Sequence, residues 1–67
     1  MILFRIDVVD MFVVAAKRFN ITRLHQLKKQ YKKKWEDIKV HLKSRKEWRK
    51  IEMTIYVIDT APPELDF

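Results

Sequence analysis

The residues of this chain best suited to acid–base or metal chemistry near neutral pH are two histidines, His25 and His41. They are too far apart in sequence to bind one metal ion from a single helix, which needs i,i+3 or i,i+4 spacing. Asp37 precedes His41 by one helical turn, but such a pair alone is more often structural than a general base. We therefore predict no catalytic residue and no metal site, and expect that the protein is not an enzyme.

The composition removes further classes of chemistry. The chain has no cysteine, so neither a disulfide nor a thiolate metal site is available. It also has no glycine, which excludes the glycine-dependent phosphate loops of dinucleotide-binding proteins and P-loop enzymes. We predict no cofactor. Without glycine, only an asparagine or aspartate such as Asn20 takes a positive φ at low steric cost.

Positive charge is concentrated in the middle of the chain. Residues 17–50 contain fourteen Lys or Arg and three acidic residues, a net charge of +11, whereas the segments on either side are mildly acidic. Such a basic segment attracts polyanions, and every phosphate that it neutralises releases counterions. Lysine supplies point charge without the planar fork that arginine offers to base edges. We therefore expect contacts to a nucleic-acid backbone with low sequence specificity, the alternative being a solvated helix face. The predicted contact residues are Lys28, Lys29, Lys32, Lys33, Lys39, Lys43, Arg45, Lys46, Trp48 and Arg49.

Three aromatic residues lie among these cations and are candidates for stacking on unpaired bases. Tyr31 and Trp35 fall on an apolar helix face, where packing in the core is the better explanation. Trp48 lies between Glu47 and Arg49, so it is the better contact candidate, with the alternative that it caps one end of the core.

An amphipathic helix over about residues 21–43 is the element expected to position the cations. Its apolar residues fall within one arc of about 120° at 100° per residue, the width of a core-facing stripe. Asn20 and Thr22 are both competent N-caps. Ser44 and Glu47 match a capping box that would start a further helical turn, the alternative being that Ser44 simply continues the long helix. The stripe consists of Ile21, Leu24, Leu27, Tyr31, Trp35, Ile38 and Leu42, while Val40 faces away from it.

The flanking segments favour strands. Residues 2–9 and 51–59 alternate in side-chain direction and are rich in β-branched residues. Residues 11–17 are ambiguous between a second strand and a short buried helix from about Val9 to Phe19. The expected fold is α+β, with a small two- to three-stranded sheet (about 2–9, possibly 11–17, and 51–59) packed on the long helix (about 21–43).

The domain organisation is simple. Residues 1–60 are expected to form a single α+β domain, and residues 61–67 an acidic C-terminal tail that contains Pro62 and Pro63. The apolar residues 1–16 are interrupted by three charges, so we expect neither a signal peptide nor a membrane span. A cytoplasmic location fits the lack of cysteine.

Three functions follow as hypotheses. The first is a small basic module that binds a DNA or RNA backbone, with homodimerisation covering the open apolar surface of so small a fold. The second is a protein-binding adaptor or inhibitor of the kind that viruses and mobile elements encode, acting on a partner, such as an acidic protein surface, through its sheet face, edge strand or tail. The third is a small RNA-cleaving enzyme that uses His25 or His41.

Overall fold

The computed structural model describes residues 6–61, with side chains described from Val8 onward. This part of the chain forms four α helices: α1 (Ile6–Lys17), α2 (Ile21–Gln30), α3 (Trp35–Lys43) and α4 (Trp48–Asp59). A single 3₁₀ turn, Lys32–Lys34, joins α2 to α3. Helices α1 and α4 each pack against all the other described helices, and all four contribute residues to one core.

The predicted α+β fold is wrong, because residues 6–61 contain no strand. Residues 6–9 and 11–17 of the predicted strands belong to α1, and residues 51–59 belong to α4. Residues 2–5 and the tail after Ala61 lie outside the described residues. None of the described helices is long and apolar enough to cross a membrane.

In α1, burial follows the helical period instead of the alternation of a strand. Val9, Phe12, Val13 and Ala16 lie at i, i+3, i+4 and i+7, and all four are buried. Valine lowers helix propensity by only a few tenths of a kcal/mol, whereas burying each large side chain contributes about 2 kcal/mol. Packing therefore outweighs the β-branching that favoured a strand. Of the two alternatives for this segment, the short buried helix is correct.

In α4, too, the alternation of a strand and the period of a helix predict different buried residues. A strand would bury Ile51, Met53, Ile55 and Val57 on one face, but Met53 is 72% exposed and Val57 50% exposed. The buried residues are instead Ile51, Thr54, Ile55 and Ile58, which follow the helical period.

The helix predicted for residues 21–43 is broken in its middle. At Tyr31 the backbone leaves the α conformation (φ −110°, ψ 32°), and Lys34 N–H donates to the Tyr31 carbonyl as in a 3₁₀ turn. A continuous helix would have placed Lys28 and Lys29 one turn from Lys32 and Lys33, and such like-charged pairs are destabilising. The lysine run therefore disfavours an uninterrupted helix.

The predicted apolar stripe nevertheless forms the centre of the core. Five of its members are buried and the other two, Ile21 and Tyr31, are half-buried and packed on the core. Phe12 of α1 links the halves of the stripe, because its ring lies 6.3 Å from that of Tyr31 and 5.6 Å from that of Trp35. Val40 is exposed, as predicted. The buried members are Leu24, Leu27, Trp35, Ile38 and Leu42.

The corner between α1 and α2 contains the residue with positive φ in this part of the chain, Phe19 at 55°. Asn20 N–H donates to the Ala15 carbonyl and Phe19 N–H to the Ala16 carbonyl, the two bonds of a Schellman C-cap. Asn20, expected to tolerate a positive φ, has φ −84° and instead caps α2, its Oδ1 accepting from Arg23 N–H at 3.1 Å.

The corner between α3 and α4 does not contain the predicted capping box. Ser44 Oγ donates back to the His41 carbonyl at 2.8 Å, so it closes α3 instead of opening α4. Glu47 occupies the N-cap position of α4 and its side chain caps no described N–H group. Its carboxylate lies 3.5 Å from the Arg45 guanidinium, which also pairs with Asp10 of α1 at 2.7 Å.

Candidate nucleic-acid interface

Helix α4 carries its charges in the reverse of the order that a helix dipole favours. A helix N-terminus stabilises anions and a C-terminus stabilises cations. Helix α3 follows this order, with Glu36 and Asp37 in its first turn and Lys43 in its last. Helix α4 instead begins beside cations and ends at Asp59, with no acidic residue in its first turn and no basic residue in its last.

The acidic end of α4 is compensated by lysines from two other helices. Lys28 Nζ, from α2, donates to the Ile58 carbonyl at 2.7 Å and lies 3.4 Å from the Asp59 carbonyl. Lys39 Nζ, from α3, pairs with the Asp59 carboxylate at 3.1 Å. Both ammonium groups also lie over the Trp35 ring, at 5.6 and 5.8 Å from its centroid. These two lysines therefore hold the C-terminus of α4 against the bundle.

The Asp59 carboxylate has a third partner, because the Trp35 indole N–H donates to it at 2.7 Å. Partial burial would raise the pKa of Asp59, but the hydrogen bonds from Trp35 and Lys39 and the charges of Lys39 and Lys28 lower it below its ordinary value. Burial would likewise lower the pKa of Lys39, yet its bonds to Asp59 and Glu36 raise that pKa. Both groups are therefore held in their charged forms.

The start of α4 carries one carboxylate, Glu47 at its N-cap, but that carboxylate pairs with Arg45 and not with the exposed cations beside it. Lys46, Arg49 and Lys50, hereafter the α4 basic cluster, are exposed and form no ion pair with any residue of the described range 6–61. Their charges lie at the positive end of the helix dipole, which costs a few tenths of a kcal/mol for each cation. Proteins break local rules such as this charge placement mainly at functional sites, so these three cations are a candidate binding site.

Four of the ten predicted contact residues have other roles in this fold. Lys28 and Lys39 cap α4, and Arg45 is a half-buried partner of Asp10 and Glu47. Trp48 is half-buried and packs on the core, which agrees with the alternative of a core-capping residue. The other six are exposed: Lys29, Lys32, Lys33, Lys43, Lys46 and Arg49.

The six exposed cations fall into two groups at opposite ends of α3. Lys29, Lys32 and Lys33 precede it, whereas Lys43 is its last residue and Lys46 and Arg49 follow it. Since α3 has 9 residues, its axis is about 13 Å long at about 1.5 Å per residue. The exposed cations that the sequence assigns to one long helix and the junction after it therefore form two separate basic groups.

Two grooves lie beside these elements. The smaller, of about 140 Å³, is lined by Trp48 and Tyr56, but it contains the carboxylates of Glu52 and Asp59 as well as the amines of Lys39 and Lys43, so it does not select anions. The larger, of about 360 Å³, lies at the corner of α1 and α2. Its walls combine apolar and charged groups from Asp10, Met11, Val14, Ala15, Arg18, Asn20 and Arg23.

Arg18 and Arg23 were absent from the predicted contact set, which favoured the denser lysine run. The signal that marks this corner in the sequence is the segment 17–20, KRFN, in which two cations and an aromatic residue precede a competent N-cap.

The histidines do not come together in a site. His25 is buried in α2, whereas His41 is exposed on α3. Within the described part of the chain, no group of three or more His, Cys, Asp or Glu residues is arranged to hold a metal ion.

Comparison of the chain with protein-family models, with curated proteins and with solved structures finds no match in any of the three. The functional argument therefore rests on the residues themselves.

Proposed function

We propose that this protein binds the backbone of nucleic acid, with the α4 basic cluster as its principal contact. The observation that supports this is the charge order of α4: Lys28 and Lys39 compensate its acidic end, whereas Lys46, Arg49 and Lys50 form no ion pair with a described residue. A phosphate placed there would meet three exposed cations and the positive end of the helix dipole together.

The expected binding is tight at low salt and weak in sequence preference. Two of the three cations are lysines, which attract phosphate as point charges. The group at the other end of α3, Lys29, Lys32 and Lys33, adds charge at a distance and strengthens the encounter with a polyanion. A reducing cytoplasm, suggested by the absence of cysteine, is the compartment that we propose for this activity.

The test separates binding from folding. We compare the double variant Arg49→Glu/Lys50→Glu with a charge-matched control, Lys17→Glu/Lys29→Glu, by fluorescence anisotropy on a mixed-sequence duplex. The test variant removes cations from a helix N-terminus, whereas the control removes cations from the last turns of α1 and α2, where the dipole favours them. Both variants change the net charge by the same amount.

The two variants should change stability and affinity in opposite patterns. Arg49→Glu/Lys50→Glu is expected to raise the free energy of unfolding by about 0.5–1 kcal/mol and to weaken duplex binding about tenfold. The control is expected to lower stability by a similar amount and to weaken binding less. Equal loss of affinity in both variants would contradict the proposed site, and no duplex binding by the wild type at about 50 mM salt would contradict the proposed function.

A second candidate function, protein binding, is favoured by the outer face of α4. Met53, Tyr56 and Val57 lie at i, i+3 and i+4 and are all exposed, which forms an apolar stripe with no partner among the described residues. Residues 6–61 contain neither the sheet face nor the edge strand expected for an adaptor, so this helix face takes their place. We propose a second copy of the chain as its partner. Sedimentation of the wild type and of Met53→Gln/Val57→Gln tests this: a dimer that becomes a monomer in the variant supports it, and a monomeric wild type refutes it.

A further inference from the structure

Phe19 is an exposed aromatic residue held in a conformation that disfavours it. Its φ of 55° lies in the left-handed region, where a Cβ approaches the following carbonyl oxygen. It occupies the C′ position of the Schellman cap that ends α1, a position usually taken by glycine. Its side chain is 71% exposed, so the ring gains little from packing.

The usual structural role of an apolar residue at this position does not account for Phe19. It immediately precedes the N-cap Asn20 of α2, and an apolar residue there often packs as a hydrophobic staple on the fourth residue of the helix. That residue, Leu24, is fully buried, whereas most of the Phe19 ring faces solvent. The fold therefore accepts both the backbone cost and the exposure of this ring.

The surroundings of Phe19 are basic. Lys17 and Arg18 precede it and are exposed, and Arg18 and Arg23 line the groove of about 360 Å³ at this corner. Neither guanidinium forms an ion pair with a residue in the described range. The groove is also lined by the apolar residues Met11, Val14 and Ala15, and Val14 is half exposed. The one carboxylate in the groove, Asp10, is paired with Arg45.

We infer that this corner binds single-stranded nucleic acid, with an unpaired base stacked on Phe19 and the adjoining phosphates held by Arg18 and Arg23. This inference rests on the proposed nucleic-acid function and names the form of nucleic acid that the protein prefers. Exposed aromatic rings beside cations bind single strands because every unpaired base offers a π-face, and the guanidinium fork binds phosphate in two places. A duplex gains nothing from such a ring, since its bases are already stacked on one another.

The presence of two arginines, Arg18 and Arg23, also distinguishes this corner from the α4 basic cluster. Two of the three cations in that cluster are lysines, and no exposed aromatic residue lies beside them in sequence, because Trp48 is half-buried. The α4 basic cluster therefore serves any nucleic-acid backbone, whereas the corner with Phe19 adds affinity for unpaired bases.

The test uses the variant Phe19→Gly, which removes the ring and relieves the left-handed strain together. Binding is measured by fluorescence anisotropy on labelled oligodeoxythymidylate of about 12 nucleotides and on a mixed-sequence duplex of the same length. The wild type should bind the single strand more tightly than the duplex. Phe19→Gly should lose about tenfold or more in single-strand affinity, keep its duplex affinity, and melt no lower than the wild type.

Phe19→Trp is the matched rescue, because it keeps a stacking ring in the same strained position. It should retain the single-strand affinity that Phe19→Gly loses. If Phe19→Gly binds the single strand as well as the wild type does, this inference is overturned. In that case the proposed function still stands, provided that Arg49→Glu/Lys50→Glu weakens duplex binding; a wild type that binds neither probe at low salt overturns both.

Discussion

The Trp35 indole N–H donates a hydrogen bond of 2.7 Å to the Asp59 carboxylate and so joins the start of α3 to the end of α4. The two residues lie far apart in sequence, and the bond is partly shielded from solvent. The same carboxylate accepts from Lys39, and Lys28 donates to the neighbouring carbonyl of Ile58. Two other helices, α2 and α3, therefore converge on the C-terminus of α4.

Replacing Asp59 by Asn should destabilise the fold. The amide can still accept from Trp35, but it loses the charge that Lys39 and Lys28 face at this point. Because hydrogen bonds to charged groups contribute about 1.5–3 kcal/mol, we expect a loss of about 1–2 kcal/mol in the free energy of unfolding at neutral pH. Urea denaturation followed by circular dichroism measures it. A variant as stable as the wild type would show that this cluster contributes nothing.

The acid sensitivity of the wild type should depend on the same carboxylate. Because the pKa of Asp59 is lower in the folded protein than its ordinary value of 3.8, Asp59 stabilises the fold above that value. The stabilisation is lost as the pH falls through the lowered pKa. The difference in unfolding free energy between the wild type and Asp59→Asn should therefore be large at pH near 7 and shrink below pH near 4. A difference that stays constant over this range would contradict the assignment.

The capping of the α4 C-terminus by Lys28 can be tested by comparing substitutions at Lys28 and at its neighbour Lys29. Lys28→Met keeps most of the aliphatic stem but removes the donor to the Ile58 carbonyl, so we expect a loss of about 1 kcal/mol and faster amide exchange at the end of α4. Lys29→Met is the control, because Lys29 is exposed and makes no ion pair with a described residue. Equal effects of the two substitutions would mean that the cap is not specific to Lys28.

The helical assignment of residues 51–59 makes a prediction that a strand would not. In α4, Ile51 is fully buried and Met53 is 72% exposed, whereas a strand would bury both on one face. Ile51→Ala should therefore cost about 2–5 kcal/mol, and Met53→Ala should change stability by less than about 0.5 kcal/mol. Similar costs at the two positions would restore the strand assignment.

The sequence could predict which residues of the central segment are inside, but not where its helix breaks. The spacing of Leu24, Leu27, Ile38 and Leu42 indicates one apolar face in a continuous helix and in two helices alike. The break at Tyr31 carries no glycine or proline, and the lysines on both sides of it disfavour a continuous helix without marking the residue at which it breaks.

The strand predictions were wrong because some apolar positions fit both the alternation of a strand and the period of a helix. Ile51 and Ile55 fit both an alternating and a helical pattern, and the β-branched content of residues 51–59 then favoured the strand. Only tertiary packing separates Thr54 and Ile58, which are buried, from Met53 and Val57. Likewise, nothing in the sequence distinguishes Lys28 and Lys39 from the other surface cations. Their role depends on the tertiary fold, which places the end of α4 beside them.

The ion pair between Asp10 and Arg45 provides a last prediction, because it ties α1 to the corner before α4. Arg45 is the more buried partner, with 27% of its side chain exposed, and its guanidinium lies 2.7 Å from the Asp10 carboxylate. A double-mutant cycle with Asp10→Asn and Arg45→Gln should give a coupling energy of about 0.5–1 kcal/mol that decreases in high salt.

The matched control for this cycle is the pair of Lys39 and Glu36, which are 3.2 Å apart with Glu36 almost fully exposed. Because solvent screens that pair, a cycle with Glu36→Gln and Lys39→Gln should give a coupling energy of less than about 0.5 kcal/mol. If the coupling of Asp10 with Arg45 is no larger than this control, partial burial does not strengthen the pair. The corner before α4 would then be held by Trp48 and the apolar core alone.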